Sequence, residues 1–338
     1  MITLKENLML LLTGQMPEYV PRYRLLWGVR PEFLRGEREP DGSGVDLFGV
    51  EFVNVPGTGP IQKPGFSLFD DITKWRDYVK IPDLSHVDWA AMAKPVVDGW
   101  DPSLPRSIGS TMGFFQAIYN FMGMTDTLIS VAEEPEEVKA LMEYLTDFYI
   151  DLLKKMIVHY KPDYITMGDD IAHARAPFVS LAMFRDLFKP SWKRYIDVAH
   201  DAGLPLVLHD CGNNDLFVDD FVELGVNAWE PAEESNDILG IKARHDKKIA
   251  LMGAFRANGL VAYSATTEAE VRAEVRRVIE TYAPGGGYAF CGIVTGAADD
   301  PVVNERNAWI ADEYQKFRDD KDFYKNNPAH KRAIPSAS

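Results

Sequence analysis

Cysteine is scarce in this chain, with two residues in 338. That is too few for a disulfide framework and leaves a buried or metal-binding thiol pair as the available roles. No apolar run reaches the ~18 residues that would mark a membrane span, so none is expected. The start, Met1-Ile2-Thr3-Leu4-Lys5-Glu6-Asn7, lacks a basic segment and a small-residue cleavage site. It reads as an ordinary helix start with no export signal, which predicts a cytoplasmic location. Positive charge is also short: 36 Lys and Arg against 51 Asp and Glu, for a net charge of −15. Nucleic-acid binding requires a basic footprint and is excluded on that ground. Gly-x-Gly-x-x-Gly, Walker A and Gly-x-Ser-x-Gly elements are missing, which removes dinucleotide, P-loop and serine-hydrolase readings. Neither a fixed repeat nor a low-complexity tract occurs.

What is present is an alternation of strand-like and helical runs. Strand candidates are Arg24 to Trp27, Glu51 to Val55, Arg106 to Ser110, Tyr164 to Met167, Leu204 to Leu208, Asn227 to Trp229, Ile249 to Met252 and Gly287 to Phe290. Between the later ones lie amphipathic helices. Pro135 suits a first helical position, and Val138, Leu141, Met142, Leu145, Phe148, Tyr149, Leu152, Leu153 and Met156 then recur at three- and four-residue spacings. Thr267 with Glu270 has the capping-box pattern. A further helix from about Asp215 to Leu224 stops at Gly225. Pro190 separates or kinks the stretches Leu181 to Phe188 and Ser191 to Ala202. Such alternation predicts a parallel sheet, and about eight units predict an α/β fold of the (β/α)₈ TIM-barrel kind. One domain over residues 1–338 is expected, with a lid-like extension in the N-terminal loops and a peripheral tail from about 318. The Gly- and Pro-rich loops Glu39 to Gly44 and Pro56 to Pro60 bracket the second strand candidate.

In such barrels, active sites lie at the C-terminal ends of the strands. Polar residues collect there: Asp169 and Asp170, His209 and Cys211, Glu230 and Glu233, Arg256, and Cys291. His209 and Cys211 are two apart on an extended run and point to one side. One nitrogen and two sulfurs from His209, Cys211 and Cys291 make a ligand set that zinc accepts. The bland alternative is two buried thiols beside a satisfied core histidine. Asp169 and Asp170 are either substrate-facing carboxylates or caps on backbone N–H groups. Glu230, Glu233 and Glu234 offer a further zinc ligand or form a solvated acidic loop. His173 reads as a loop residue. Arg22, Arg24, Arg30 and Arg35 could hold the carboxylates of an acidic substrate.

Four segments carry a resemblance: Tyr164-Ile165-Thr166-Met167-Gly168-Asp169-Asp170, Phe184 to Pro190, His209-Asp210-Cys211-Gly212-Asn213, and Ala250-Leu251-Met252-Gly253. With these the chain resembles the uroporphyrinogen decarboxylase superfamily over nearly its whole length. His-x-Cys with a distant Cys is similar to its branch of cobamide-dependent methyltransferases, which includes the methylcobamide:coenzyme M methyltransferases. The resemblance implies that His209, Cys211 and Cys291 hold zinc and that zinc activates a thiol. Cobalamin-independent methionine synthase is similar in site design, and Glu233 is the position matching its acidic ligand. Asp170 and Glu230 are then candidates for orienting substrate. The decarboxylases' Arg-Gln-Ala-Gly-Arg stretch is replaced here by Pro21-Arg22-Tyr23-Arg24-Leu25-Leu26-Trp27-Gly28.

The function implied is methyl transfer between a corrinoid, such as methylcobalamin, and a small thiol or a methoxylated or methylated compound. An Asp-x-His-x-x-Gly cobalamin signature is lacking, so the corrinoid would arrive free or on a separate corrinoid protein. Two other readings stand beside it. One is a metal-free decarboxylase using Arg22, Arg24 and Asp170. The other is a non-catalytic protein that binds a corrinoid or a small acid.

Overall fold

The computed structural model describes residues 2–23, 29, 31–55, 59–109, 113–256, 265–296 and 299–328. The chain divides into two compact units. The first comprises Met1–Leu26, Pro102–Pro105 and Asp210–Ser338; the second comprises Trp27–Asp101 and Arg106–His209. The division falls inside one strand, Leu206–Asp210, between His209 and Asp210.

The second unit contributes Ser107–Gly109, Tyr164–Asp169 and most of Leu206–Asp210, neighbours in that order. Ser107 to Gly109 pair in parallel with Tyr164 to Thr166. The first unit contributes Ala228–Ala232, Ala250–Gly253 and Tyr288–Phe290, again parallel neighbours in that order. All six are buried almost end to end. Burial on both faces is why they read in sequence as apolar runs without alternation.

The strand expected at Glu51 to Val55 forms, but not in the parallel sheet. It is the third member of a four-stranded antiparallel sheet, Glu37–Arg38, Gly44–Val45, Glu51–Val55 and Gly59–Gln62. Strand propensity does not specify a partner, and here turn chemistry does. Asp41 accepts from the Ser43 N–H at 2.9 Å, and Gly42 takes φ +85°. That places a hairpin where the Glu39 to Gly44 loop was expected. The expected strand Arg24 to Trp27 lies outside the described residues. On either side of it, Arg22 bridges Phe290 within the first unit and Val29 bridges Ile108 within the second, both in parallel.

The helices follow the sequence closely. Pro135–Tyr160 buries every member of the expected stripe. Full burial of each such side chain is worth roughly 2 kcal/mol. Thr267 caps Glu268–Tyr282 with Glu270 in a complete capping box. Gly225, at φ +86°, ends Val218–Leu224, which begins three residues later than expected. Pro190 does not separate its helices. Its ring sits in the first turn of Lys189–Asp201, which continues from a π-helical turn, Phe184–Phe188. A wider turn accommodates the missing N–H. The C-terminal segment is better packed than expected: Phe323 is buried, and the Asn327 carbonyl accepts from the Gly285 N–H at 3.2 Å.

One helix end in the first unit is held by a half-buried amine. Lys242, on Ile238–His245, donates to the carbonyls of Tyr282, Pro284 (3.2 Å) and Gly286 (2.7 Å). These include the end of Glu268–Tyr282, where a cation complements the helix dipole. Burial lowers the Lys242 pKa from 10.5 to about 8, with Asp246 opposing weakly. The unfolded chain therefore holds this proton more tightly between those two values. The Lys242 contribution to stability is expected to rise with pH from about 8 to 10.5, by about 3 kcal/mol. Urea unfolding of wild-type and Lys242→Met proteins at pH 7 and pH 10 checks this. The difference between the two midpoints should move in favour of wild type at the higher pH, and parallel pH profiles would refute it.

Candidate metal centre at the strand ends

Asp169 and Asp170 end the Tyr164–Asp169 strand and do different things. Asp169 is buried. Its Oδ2 accepts from the N–H groups of Phe114 (2.9 Å) and Phe115 (3.1 Å), and its Oδ1 accepts from Gln116 N (2.9 Å) and Asp170 N (3.1 Å). It thus caps Phe114–Met122, whose own N-cap is Gly113. A Cβ on Gly113 would lie 2.3 Å from Asp169 Oδ1, so this carboxylate occupies the place of the missing side chain. Burial raises the Asp169 pKa to about 6, against the pull of the backbone donors. Of the two sequence readings for this pair, the cap belongs to Asp169. Asp170 is half-buried and takes a hydrogen bond from Gln116 Nε2 at 3.3 Å.

His209 is buried near the end of Leu206–Asp210, and half-buried Cys211 follows two residues on. One ligand atom each from Asp170, His209 and Cys211 lie within 4.8 Å of one another. In a tetrahedral zinc site, ligand atoms sit roughly 3.5 Å apart, given metal–ligand bonds of about 2.0 to 2.3 Å. A thiol, an imidazole and a carboxylate at this spacing fit zinc with small adjustments. Three protein ligands would leave the fourth position for substrate.

The backbone around Cys211 is tied down within the first unit. The Asp210 carbonyl accepts from Trp229 Nε1 at 2.8 Å, and the Cys211 carbonyl accepts from Asn214 Nδ2 at 3.0 Å. Gly212 turns the chain at φ +89°, in the region that favours glycine. Its N–H donates to Glu233 Oε1 and its carbonyl accepts from Asn236 Nδ2, both at 3.0 Å.

The remaining expected residues are placed as follows. Cys291 is buried, in no disulfide, directly after Tyr288–Phe290, and it is not a member of the 4.8 Å group. Glu233 also lies outside that group. Glu230 is buried inside its strand rather than after it. Arg256 pairs with Glu234 at 2.7 Å. Arg22 donates to the Gly292 carbonyl at 3.3 Å and lies over the Tyr314 ring. Arg24 and Arg30 are outside the described residues. His173 is exposed on the hairpin that follows Asp170. The sequence reading missed Asp170 as a ligand candidate and Asn236 altogether. The placement of Asp170 at a strand end was a signal for the first; nothing local marks the second.

The arrangement is an α/β framework of parallel strands with a candidate ligand cluster at its strand ends. The uroporphyrinogen decarboxylase (URO-D) family model matches residues 45–300. The chain belongs to that family, and its fold class is accordingly the (β/α)₈ type. A methyltransferase from Methanosarcina mazei has a similar fold, with TM-score 0.65 and 16% identity, over 94% of this chain and 99% of that one. A Xaa-Pro dipeptidase with methionine in its active site reaches only TM-score 0.32, at 14% identity over 67% of this chain and 57% of its own. No curated protein sequence matches the chain. Among the described residues, no helix is long and apolar enough to cross a membrane.

Proposed function

We propose that this chain is a zinc-dependent methyltransferase that moves a methyl group between a corrinoid and a small thiol. The observation that carries the reading is the convergence of Asp170, His209 and Cys211 at the strand ends. The fold similarity to a methyltransferase supports it. His209 and Cys211 would hold the metal with Asp170. Cys291, directly after Tyr288–Phe290, is the proposed second sulfur, and Asp170 would then give up its place when substrate sulfur binds, keeping the metal four-coordinate. Bound zinc lowers the pKa of a coordinated substrate thiol, so that thiolate is present at neutral pH.

The chain's residues then have defined tasks. His209 and Cys211, two residues apart at one strand end, would hold the metal together and so set where substrate sulfur could bind. Asp170, braced by Gln116, would hold the metal as its carboxylate ligand and offset part of its charge. Glu230 is the proposed substrate-orienting group. The corrinoid would supply the methyl group and depart as cob(I)alamin, keeping the electron pair of the cobalt–carbon bond, while the metal held by His209 and Cys211 would supply a substrate thiolate whose proton is released to solvent. A separate corrinoid protein would present the ring and reduce the orientational cost of that encounter.

Anaerobically purified protein is expected to carry about one zinc per chain. It should convert methylcobalamin to cob(I)alamin in the visible spectrum when a small thiol is added, with free cobalamin or a carrier protein. With cobalt(II) in place of zinc, Cys291→Ser should lower the sulfur-to-cobalt absorption by about half, as two cobalt–sulfur bonds become one. An unchanged absorption removes Cys291 from the ligand set. Absence of zinc, together with loss of CO₂ from a carboxylated substrate, would replace the proposal by the decarboxylase reading.

A further inference from the structure

The two loops that follow Leu206–Asp210 and Ala228–Ala232 are laced together step by step. Gly212 N donates to Glu233 Oε1 at 3.0 Å, and Asn213 Nδ2 donates to the Ser235 carbonyl at 2.7 Å. Asn214 N donates to Asn236 Oδ1 at 2.7 Å, and Asp237 N donates to the Asp215 carboxylate at 3.0 Å. Asn236 is buried, and its amide nitrogen returns to the Gly212 carbonyl and the Glu233 carbonyl, at 3.0 and 2.9 Å. The peptide that follows Cys211 is therefore gripped from both sides. The Gly212 N–H meets the Glu233 carboxylate, and the Gly212 carbonyl, in the next peptide unit, meets the Asn236 amide.

We infer that Glu233 is a positioning residue for the Cys211 thiol, acting through the Gly212 N–H, and that the carboxylate ligand of the proposed metal is Asp170. The inference rests on the zinc reading of the site. Three observations carry it. Asp170, not Glu233, shares the 4.8 Å group with His209 and Cys211. One Glu233 oxygen is occupied by the Gly212 N–H. The loop pairing continues past Glu233 for four more residues, so Glu233 sits in a register that aims it at the backbone. An ionised acceptor makes this hydrogen bond stronger than a neutral one. The bond settles where the Gly212 turn lies, and hence where the Cys211 sulfur points. Partners of this kind are worth 10- to 100-fold in metal affinity in general.

Glutamine separates the two roles. Its side-chain oxygen still accepts from Gly212, but a neutral amide is a poor zinc ligand. Zinc affinity by chelator competition and the cobalt(II)–thiolate absorption are measured for wild type, Glu233→Gln, Glu233→Ala and Asn236→Ala. Glu233→Gln should bind zinc within about threefold of wild type, whereas Glu233→Ala should lose roughly 10- to 100-fold and show a weakened, shifted thiolate band. Asn236→Ala, which releases the same turn from its other side, should behave like Glu233→Ala. Equal losses in Glu233→Gln and Glu233→Ala would make Glu233 a ligand and overturn the inference. Normal affinity and an unchanged band in Glu233→Ala would overturn it too, whatever happens to stability. Circular dichroism and a urea midpoint identify any variant that fails to fold, and Glu233→Gln, which keeps the bond, then decides the matter alone. Wild-type protein that binds neither zinc nor cobalt would instead refute the metal reading itself.

Discussion

On the proposed function, replacing Cys211 or His209 by Ala is expected to remove the proposed zinc and abolish the proposed methyl transfer while leaving the protein folded. Each of these side chains supplies one of the three atoms in the 4.8 Å group. Loss of an outer partner already costs a metal site 10- to 100-fold, so loss of a ligand should exceed about 100-fold in zinc affinity. The fold should tolerate the change because the backbone here is held by other groups. Trp229 holds the Asp210 carbonyl, Asn214 holds the Cys211 carbonyl, and the Gly212 peptide is held by Glu233 and Asn236. Neither thiol is in a disulfide, so no covalent link is lost. Elemental analysis, circular dichroism and the cobalamin spectral assay on the same preparations test this. Full zinc with full activity in the Cys211→Ala protein would mean that the metal is held elsewhere.

Two members of the candidate cluster, His209 and Cys211, stood out in the sequence for a simple reason. His209 and Cys211 follow a run, Leu204 to Leu208, whose unbroken apolar character marks a strand buried on both faces. Polar residues at the end of such a run have few structural excuses. The helix Pro135–Tyr160 was legible because its stripe repeats over many turns, and Glu268–Tyr282 because its capping box is local. What resisted reading depends on partners distant in the chain. Asp169 and Asp170 are chemically identical neighbours. They differ because Phe114–Met122 brings three N–H groups to one of them and the Gln116 side chain to the other. Glu233 matched a ligand position by spacing from Cys211, yet it accepts a hydrogen bond from Gly212, which only the pairing of the two loops reveals. Glu51–Val55 was recognisable as a strand, but its sheet is chosen by the hairpins on either side.

Asp169→Ala is expected to be the most destabilising single change around the site, even though Asp169 is assigned no chemistry there. Its carboxylate satisfies three N–H groups in the first turn of Phe114–Met122 and the N–H of Asp170. Helix ends leave such donors without intrahelical partners, and Gly113 has no side chain with which to cap them. Each buried donor left unpaired costs about 1 to 3 kcal/mol, and partial fraying of the helix end would relieve some of that. A net loss of about 3 to 5 kcal/mol is expected, in the range reserved for broken buried networks. Asp169→Asn should fall between wild type and Ala, because one of its two oxygens becomes an amide that cannot accept. Gly113→Ala attacks the same contact from the other side. Its new methyl would meet Asp169 Oδ1 at 2.3 Å and the Asp169 Cα at 2.6 Å, so strand and helix must part. Because Asp170 is the next residue and Gln116 lies in the same helix turn, both variants should also weaken zinc binding without touching a ligand. Urea unfolding at pH 7 gives the first quantity and chelator competition the second. An Asp169→Ala protein with the wild-type midpoint would show that this carboxylate is not what holds the helix against the strand.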